Sequence, residues 1–235
     1  MDGDGEMTRP TSHPDPADLW GDAQARVCAL VLGVDGEATR RRVPATPDWT
    51  VRDLLSHMVG VGVDVVAGRE DPDHSEEWTA AHIASRADQD VIELVAEWRG
   101  VAEALQAHMR EHGGRPLADL MIHEQGLRGA VGVHGAQDDP GHAWVSRRML
   151  SRVPDALGDG QTLALVSPSG SWTSHGGDPG TADVEVRTSD FDLARALTSR
   201  RTEAQLRGWT TRGDLDAVRA AFTLVGPLPE QELPC

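Results

Sequence analysis

The chain has 235 residues, enough for one large domain or two ordinary ones. Its 38 acidic residues outnumber its 22 lysines and arginines and give a net charge of −16, which argues against nucleic acid or an anionic membrane as a partner. No apolar run approaches the length of a membrane span, and the N-terminus lacks the basic-then-apolar pattern of a secretory signal. We therefore expect a cytoplasmic protein.

The two cysteines agree with this location. Cys28 lies in an apolar run and is expected in the core, whereas Cys235 is the last residue and is expected to be a free thiol. Neither cysteine suggests a disulfide framework, so the chain fits a reducing compartment.

Residues 1–16 are rich in glycine, aspartate and proline, a composition that predicts a disordered tail. Beyond this tail, apolar residues recur at helical spacing in several segments. The predicted helices cover residues 17–32, 51–67, 78–111 with an interruption near 87–90, 116–131 and 141–157. Short connections between such segments favour an up-and-down helical bundle, which we assign to residues 17–157.

The sequence pattern changes after residue 158. Strands are predicted over residues 161–167, around Trp172 and over residues 182–188, where apolar and polar residues alternate. Helical patterns follow at residues 191–198, 202–209 and 215–222. Strands followed by helices predict a small α+β domain over residues 158–235, so the fold class expected for the whole chain is α+β.

The second predicted helix carries a histidine on its apolar side. Thr50 and Asp53 stand at the spacing of a capping box, so Asp53 is expected to cap the helix rather than to orient a ligand. His57 follows among leucines and valines in the middle of the helix. Two other histidines on helical segments, His82 and His108, are alternative ligands, although a core or surface imidazole is the simpler interpretation of each.

The fourth predicted helix carries Asp119 and His123, four residues apart and therefore on one face. A lone pair of this kind is more often a salt bridge or a core hydrogen bond. With His57, however, it makes three protein ligands, the number typical of a catalytic metal site with open positions. Two histidines and an aspartate suit zinc, and also nickel, iron or manganese.

Three runs of sequence carry a family resemblance. They are Trp49-Thr-Val-Arg-Asp-Leu-Leu-Ser-His57-Met-Val-Gly, Trp78-Thr-Ala-Ala and Asp119-x-x-x-His123-Glu-x-x-Leu-Arg-Gly-Ala. Together they resemble the mycothiol-dependent maleylpyruvate isomerase family, which belongs to the DinB-like metal-binding bundles. The resemblance extends over nearly the whole chain, because the C-terminal part is similar to the family's sterol-carrier-like second domain.

The resemblance implies a four-helix bundle that holds one divalent metal, usually zinc. It places the ligands at His57, Asp119 and His123. It also implies mycothiol as the thiol cosubstrate and a small-molecule electrophile as the other substrate. Arg200 matches an arginine of the second domain that lies over the cleft, which makes it the candidate catalytic contact for an anionic substrate. A surface salt bridge is the alternative role for Arg200.

The chain departs from the family pattern at three places. Asp119 stands where the isomerase has glutamate, and Gln125-Gly126 stands where many relatives have His-Asp. Ser199 replaces the glycine that precedes the arginine of the second domain. These differences bear on the identity of the substrate and on the metal geometry more than on the presence of a metal.

Two classes of function follow from this sequence. The first is a metal-dependent enzyme that activates mycothiol as thiolate for addition to an electrophile, as an isomerase or an S-transferase. The alternative is a non-catalytic protein of the same fold that binds a metal or a small molecule. A third possibility is a bundle whose site has become purely structural. Thiol dependence separates the first two, and metal content separates both from the third.

Overall fold

Most of the chain up to residue 157 is helical, and a four-stranded sheet begins at Leu163. The computed structural model describes residues 14–157 and 161–234, so most of the predicted disordered tail lies outside the described residues. The helices of the first part are α1 Pro16–Leu32, α2 Val51–Val66, α3 Glu76–Ala84, α4 Val91–His112, α5 Arg115–Val131, α6 Gly141–Leu150 and α7 Val153–Leu157. No helix in these ranges is long and apolar enough to cross a membrane.

Helices α1, α2, α4 and α5 form the predicted four-helix bundle. Each of α1 and α2 packs against both α4 and α5. Large apolar side chains fill the space between them, and the biggest of these are almost fully buried: Trp20, Leu54, Leu94, Trp98, Leu105, Leu117, Leu120 and Leu127. Burial of apolar area at this interface is the main force that holds the helices together.

Local signals set where the bundle helices begin. Thr50 and Asp53 form a capping box at the start of α2, and Asp90 and Glu93 form another at the start of α4. Asp53 therefore has the capping role predicted for it. Helix α5 ends at Gly132, whose φ of 72° is the left-handed conformation that favours glycine after a helix.

Two predicted helices are each divided in the structure. The predicted interruption near residues 87–90 separates α3 from α4, because Asp90 caps a new helix there. The fifth predicted helix is divided into α6 and α7 at residues 151–152. Pro154 has no backbone N–H to donate to the carbonyl of Leu150, so α6 cannot continue through it, whereas proline is well tolerated in the first turn of α7.

A small hairpin precedes α2 where the sequence suggested only a connection. Strands β1 Arg42–Val43 and β2 Thr46–Thr50 pair antiparallel. Strand β1 has only two residues, and β2 contains Pro47 and Asp48 and shows no apolar alternation, so neither was recognisable as a strand. Val43 is fully buried against α5, so the hairpin fixes the entry to the helix that carries His57.

The second part of the chain contains a four-stranded sheet in the order β4-β3-β5-β6. Its strands are β3 Leu163–Ser167, β4 Gly170–Thr173, β5 Val184–Arg187 and β6 Thr210–Arg212. Strands β3 and β5 are parallel, and the other pairs are antiparallel. Helices α8 Asp190–Leu197 and α9 Glu203–Trp209 and a 3-10 helix over Leu215–Phe222 complete it, which confirms the α+β class.

The two parts share a continuous apolar core. Helix α6 packs on α8, and α7 packs on the 3-10 helix Leu215–Phe222. The buried side chains of the bundle and of the sheet belong to one cluster. The division into two domains near residue 158 stays a prediction.

A buried ionic cluster fixes α5 against α1. Glu124 is fully buried and accepts two hydrogen bonds from Arg26 on α1, at 3.1 and 2.9 Å. Arg128, one turn further along α5, donates to the same carboxylate. Arg26 also pairs with Asp139 at 2.8 Å. Glu124 thus points away from the face that carries His123 and has a structural role.

We expect Glu124→Ala to lower the free energy of unfolding by about 3 kcal/mol, because it leaves two guanidinium groups without their buried partner. Urea denaturation followed by circular dichroism measures this change. Glu203→Ala is the matched control, since Glu203 pairs with Arg207 and Arg219 at the surface and its loss should have a much smaller effect. Equal losses in the two variants would contradict the structural role of Glu124.

Candidate metal centre

Three side chains predicted as ligands lie together between α2 and α5. Asp119 Oδ1 is 3.6 Å from Nε2 of His57 and 3.2 Å from Nε2 of His123. One ligand atom from each of the three residues lies within 4.8 Å of the other two. The side chain of His57 is 4% exposed, and those of Asp119 and His123 are 14% exposed, so the cluster is enclosed with a narrow opening to solvent.

Close packing of α5 on α2 brings the three residues together. Gly126, one turn after His123, faces the hairpin and α2. A side-chain carbon placed on it would lie 3.4 Å from Val43 Cγ1 and 3.5 Å from Leu54 Cδ2. These are ordinary van der Waals distances, so alanine would fit at position 126, but little space is left for a bulkier side chain. The departure at Gln125-Gly126 thus has a packing role at position 126, while Gln125 donates to the carbonyl of Gly135 at 3.2 Å.

The donor set fits a divalent metal. Ligands bound at about 2.0–2.1 Å to a tetrahedral zinc lie about 3.4 Å from one another, close to the two distances measured here. Among the described residues, Asp119 forms ion pairs only with the two imidazoles. A buried carboxylate with no arginine or lysine partner is well suited to a cation.

The charges of the cluster shift its protonation equilibria. Burial raises the pKa of Asp119, but the neighbouring His123 and His57 outweigh it and hold the pKa of that carboxyl well below its usual value. Burial lowers the pKa of His123 although Asp119 raises it, and the electrostatic influence of His57 and Arg200 lowers it further. An ionised carboxylate beside a neutral imidazole is the state in which both can bind a metal.

Aromatic residues enclose the outer side of His57. The ring of Trp49 lies 5.1 Å from the imidazole, and the ring of Trp78 lies 6.2 Å from it, edge-on. In the sequence both tryptophans belong to the family motif, and no local pattern places them at the site. Their positions immediately before α2 and near the start of α3 are what bring them beside His57.

His82 is buried next to this cluster and outside it. Its Nδ1 lies 3.2 Å from Nδ1 of His57, and its Nε2 lies 3.1 Å from Asp64 Oδ2. Both nitrogens thus have partners, so His82 is not placed as a fourth ligand. His108 lies on α4 beside His112, with 4.4 Å between the rings, and is not part of the ligand group. Burial lowers the pKa of His82, and the hydrogen bond to Asp64 opposes that shift.

The family model of the mycothiol maleylpyruvate isomerase N-terminal domain matches residues 20–150, more than half of the chain. The chain belongs to this family. The matched segment contains His57, Asp119 and His123. No curated protein sequence matches the chain.

Solved structures show the same fold. A crystal structure of the mycothiol-dependent maleylpyruvate isomerase has a TM-score of 0.52 and 16% sequence identity, covering 79% of this chain and 88% of that chain. A structure of a histidine-to-alanine mutant of the isomerase has a TM-score of 0.53 and 15% identity, covering 78% of this chain and 88% of that chain. At this identity the similarity establishes the fold and leaves the reaction to be tested.

Arg200 lies outside the segment matched by the isomerase family model, at the edge of a groove of about 700 Å³. The groove is lined by the β1–β2 hairpin, by Ser199 and Arg200 and by residues 225–233. Arg200 forms no ion pair with a described acidic residue, and its Nε is buried without a hydrogen-bond partner. Its Nη1 donates to the carbonyls of Thr198 and Ser199. Burial lowers its pKa, and the part of the chain that the structure describes offers it no salt-bridge partner within 4 Å.

Ser199 takes the left-handed conformation, and it stands at the position where the family resemblance has glycine. Its φ is 57°, which is uncommon for a residue with a side chain. Its hydroxyl donates to the carbonyl of Phe222 at 3.0 Å and accepts from the amide of Val225 at 3.3 Å. Ser199 therefore ties the turn that carries Arg200 to the segment that lines the groove.

Proposed function

We propose that this protein is a metal-dependent enzyme that activates mycothiol and adds it to a small electrophile, as an isomerase or an S-transferase. The observation that carries the proposal is the buried group of His57, Asp119 and His123, whose ligand atoms lie within 4.8 Å of one another. Membership of the mycothiol maleylpyruvate isomerase N-terminal domain family supports mycothiol as the thiol. Zinc is the metal that this donor set suits best among those considered.

The three ligands leave room for a thiol. Two imidazoles and one carboxylate occupy three positions, as in catalytic sites that keep a position open for substrate. A divalent ion held there would lower the pKa of a bound thiol, so that the thiolate is available near neutral pH. The enclosed position between α2 and α5, with Trp49 beside His57, limits access of water to the reacting groups.

Arg200 would bind an anionic group of the electrophile. Its guanidinium is half-buried, has an unsatisfied Nε–H and forms no ion pair with a described carboxylate, although Glu230 and Glu232 line the same groove. It lines the groove and is near enough to His123 to lower the pKa of that imidazole. A carboxylate of the substrate would supply the partner that the protein does not.

The two reaction types differ in the fate of one bond. Both begin when the thiolate sulfur forms a bond to an electrophilic carbon of the substrate. In an isomerase, the former double bond rotates and the same C–S bond then breaks, which regenerates the thiol. In an S-transferase, the C–S bond is kept and the conjugate takes up a proton and leaves. Consumption of thiol in a single turnover distinguishes them.

We expect the purified protein to hold about one divalent metal per chain, and His57→Ala and His123→Ala to lose it. Each substitution removes one of three ligands but leaves the helices capped and packed, so circular dichroism should show most of the helicity. Mass spectrometry of the untagged protein measures the metal. His112→Ala is the control, because His112 is exposed on α4 and should retain the wild-type metal content. Full retention of metal in both ligand variants would show that the metal is not bound by these residues.

We expect mycothiol to bring a sulfur atom into the metal coordination shell, because the thiolate fills the open position. X-ray absorption at the metal edge, with and without mycothiol, measures this directly. A second spectrum with a disulfide-blocked thiol controls for binding without coordination. A bound metal whose shell does not respond to the thiol would favour the alternative, a metal-binding or small-molecule-binding protein without thiol chemistry.

We expect Arg200→Ala to lower kcat/KM for an anionic electrophile by about 10- to 100-fold, the effect of losing a hydrogen bond to a charged group. The effect should be much smaller with a neutral electrophile, and Arg200→Lys should restore part of the loss. Arg207→Ala is the control, since Arg207 pairs with Glu203 and Asp216 at the surface. Unchanged rates with every accepted electrophile would remove Arg200 from the site.

A further inference from the structure

The inner nitrogen of His57 faces the ligand cluster, and its outer nitrogen faces a second histidine. Nδ1 of His57 lies 3.2 Å from Nδ1 of His82, while Nε2 of His57 lies 3.6 Å from Asp119. His82 comes from α3, and its side chain is 4% exposed. Its other nitrogen, Nε2, lies 3.1 Å from Asp64. Asp64 is two turns after His57 on α2, so the ring of His82 contacts two residues that lie on one face of that helix.

The position of each proton follows from what each group can accept. The carboxylate of Asp64 can only accept, so Nε2 of His82 carries the hydrogen of that contact. In its neutral form His82 then has a bare Nδ1. The short contact between the two Nδ1 atoms needs a hydrogen, and His57 supplies it. His57 is therefore left with a bare Nε2, and this atom points at the cluster.

Asp64 is itself held in place from two directions. The indole Nε1–H of Trp78 donates to Oδ2 of Asp64 at 2.9 Å, the same oxygen that faces His82. Arg69 donates to Oδ1 at 2.8 Å. The carboxylate is therefore oriented by groups of α3 and by Arg69, three residues after the end of α2. It stays an acceptor toward His82.

Gly60 provides the space in which His82 lies. It is one turn after His57 on α2. A side-chain carbon placed on it would fall 2.3 Å from Cγ of His82 and 2.5 Å from its Cδ2. Glycine weakens the interior of a helix relative to alanine. Here it allows the imidazole of His82 to rest directly on the helix backbone between His57 and Asp64.

We propose that His82 and Asp64 are positioning residues that fix His57 in the tautomer with a proton on Nδ1 and a free electron pair on Nε2. This inference rests on the proposed function, in which Nε2 of His57 is a metal ligand. A ligand imidazole whose other nitrogen donates to a fixed acceptor has a set ring orientation and a higher basicity. The acceptor here is the imidazole of His82, which is itself bound to the carboxylate of Asp64. These two residues would therefore act through His57 and not by contacting a metal or a substrate.

The first test reads the tautomer in the metal-free protein. Long-range proton–nitrogen NMR of the histidine rings, with His57 assigned from His57→Ala, should show a protonated Nδ1 and a bare Nε2. In His82→Phe the ring volume is kept and the acceptor is lost, so His57 should move to a mixture of tautomers. A protonated Nε2 on His57 in the unaltered protein would overturn the proposal.

The second test measures affinity for Zn²⁺ by competition with a chromophoric chelator. His82→Phe and Gly60→Ala should each weaken binding by about 10- to 100-fold, the usual effect of losing the partner of a ligand histidine. Gly60→Ala keeps every hydrogen-bonding group and only displaces His82, so it remains informative where His82→Phe fails to fold. Gly62→Ala on the same helix is the matched control, because its added carbon would meet Leu105 and Trp98 at 3.4 and 3.5 Å and would not reach His82.

The two measurements separate the two proposals. Unchanged tautomer and unchanged affinity in a folded Gly60→Ala protein would overturn the positioning role and leave the metal site intact. If the unaltered protein binds no Zn²⁺ and the tautomer still depends on His82, the proposed function fails while the tautomer assignment stands. A loss of affinity in Gly62→Ala as large as in Gly60→Ala would show a general effect of helix α2 and would count against His82.

Discussion

A carboxylate enclosed with imidazoles inside a helical bundle is the constraint on which the arrangement of this protein depends. Such groups lose their water and need partners within the protein. Asp119 contacts two imidazoles, and one of these, His57, contacts His82. His82 in turn contacts Asp64, and Asp64 pairs with the exposed guanidinium of Arg69. Each polar group in the series thus has a neighbour of suitable chemistry, from the bundle interior out to solvent. The elements that supply these groups, α2, α3 and α5, must therefore keep their relative positions.

A second ionic cluster lies on another face of α5. Glu124 follows His123 directly in the sequence, yet the helix turns it toward α1, where Arg26 binds it; Arg128 of α5 binds the same carboxylate. Adjacent residues on α5 thus serve two different networks. One network secures the packing of α5 on α1, and the other faces α2 with a carboxylate that has only imidazole partners among the described residues.

Part of this arrangement was readable from the sequence. The spacing of Asp119 and His123 placed this pair on one helix face, and the three-ligand pattern and the family resemblance joined it to His57 on another helix; the structure brings the three together. The roles of His82, Gly60 and Asp64 were not predictable in the same way. They depend on how α3 lies across α2, and no local pattern specifies a contact between residues on separate helices. The β1–β2 hairpin was missed because β1 has only two residues and β2 contains Pro47 and shows no apolar alternation.

The groove beside Arg200 has a different origin from the ligand cluster. The three candidate ligands lie on helices within residues 20–150, whereas the groove wall is completed by residues 225–233, an irregular segment tied down at Ser199. Irregular segments accept insertions and deletions more readily than packed helices do. The terminal segment could therefore be lengthened, shortened or exchanged during evolution while the ligand helices stay unchanged. Under the proposed function, two related chains with identical bundle interiors and unlike segments at residues 225–233 should then differ in the molecules they accept rather than in the chemistry they perform.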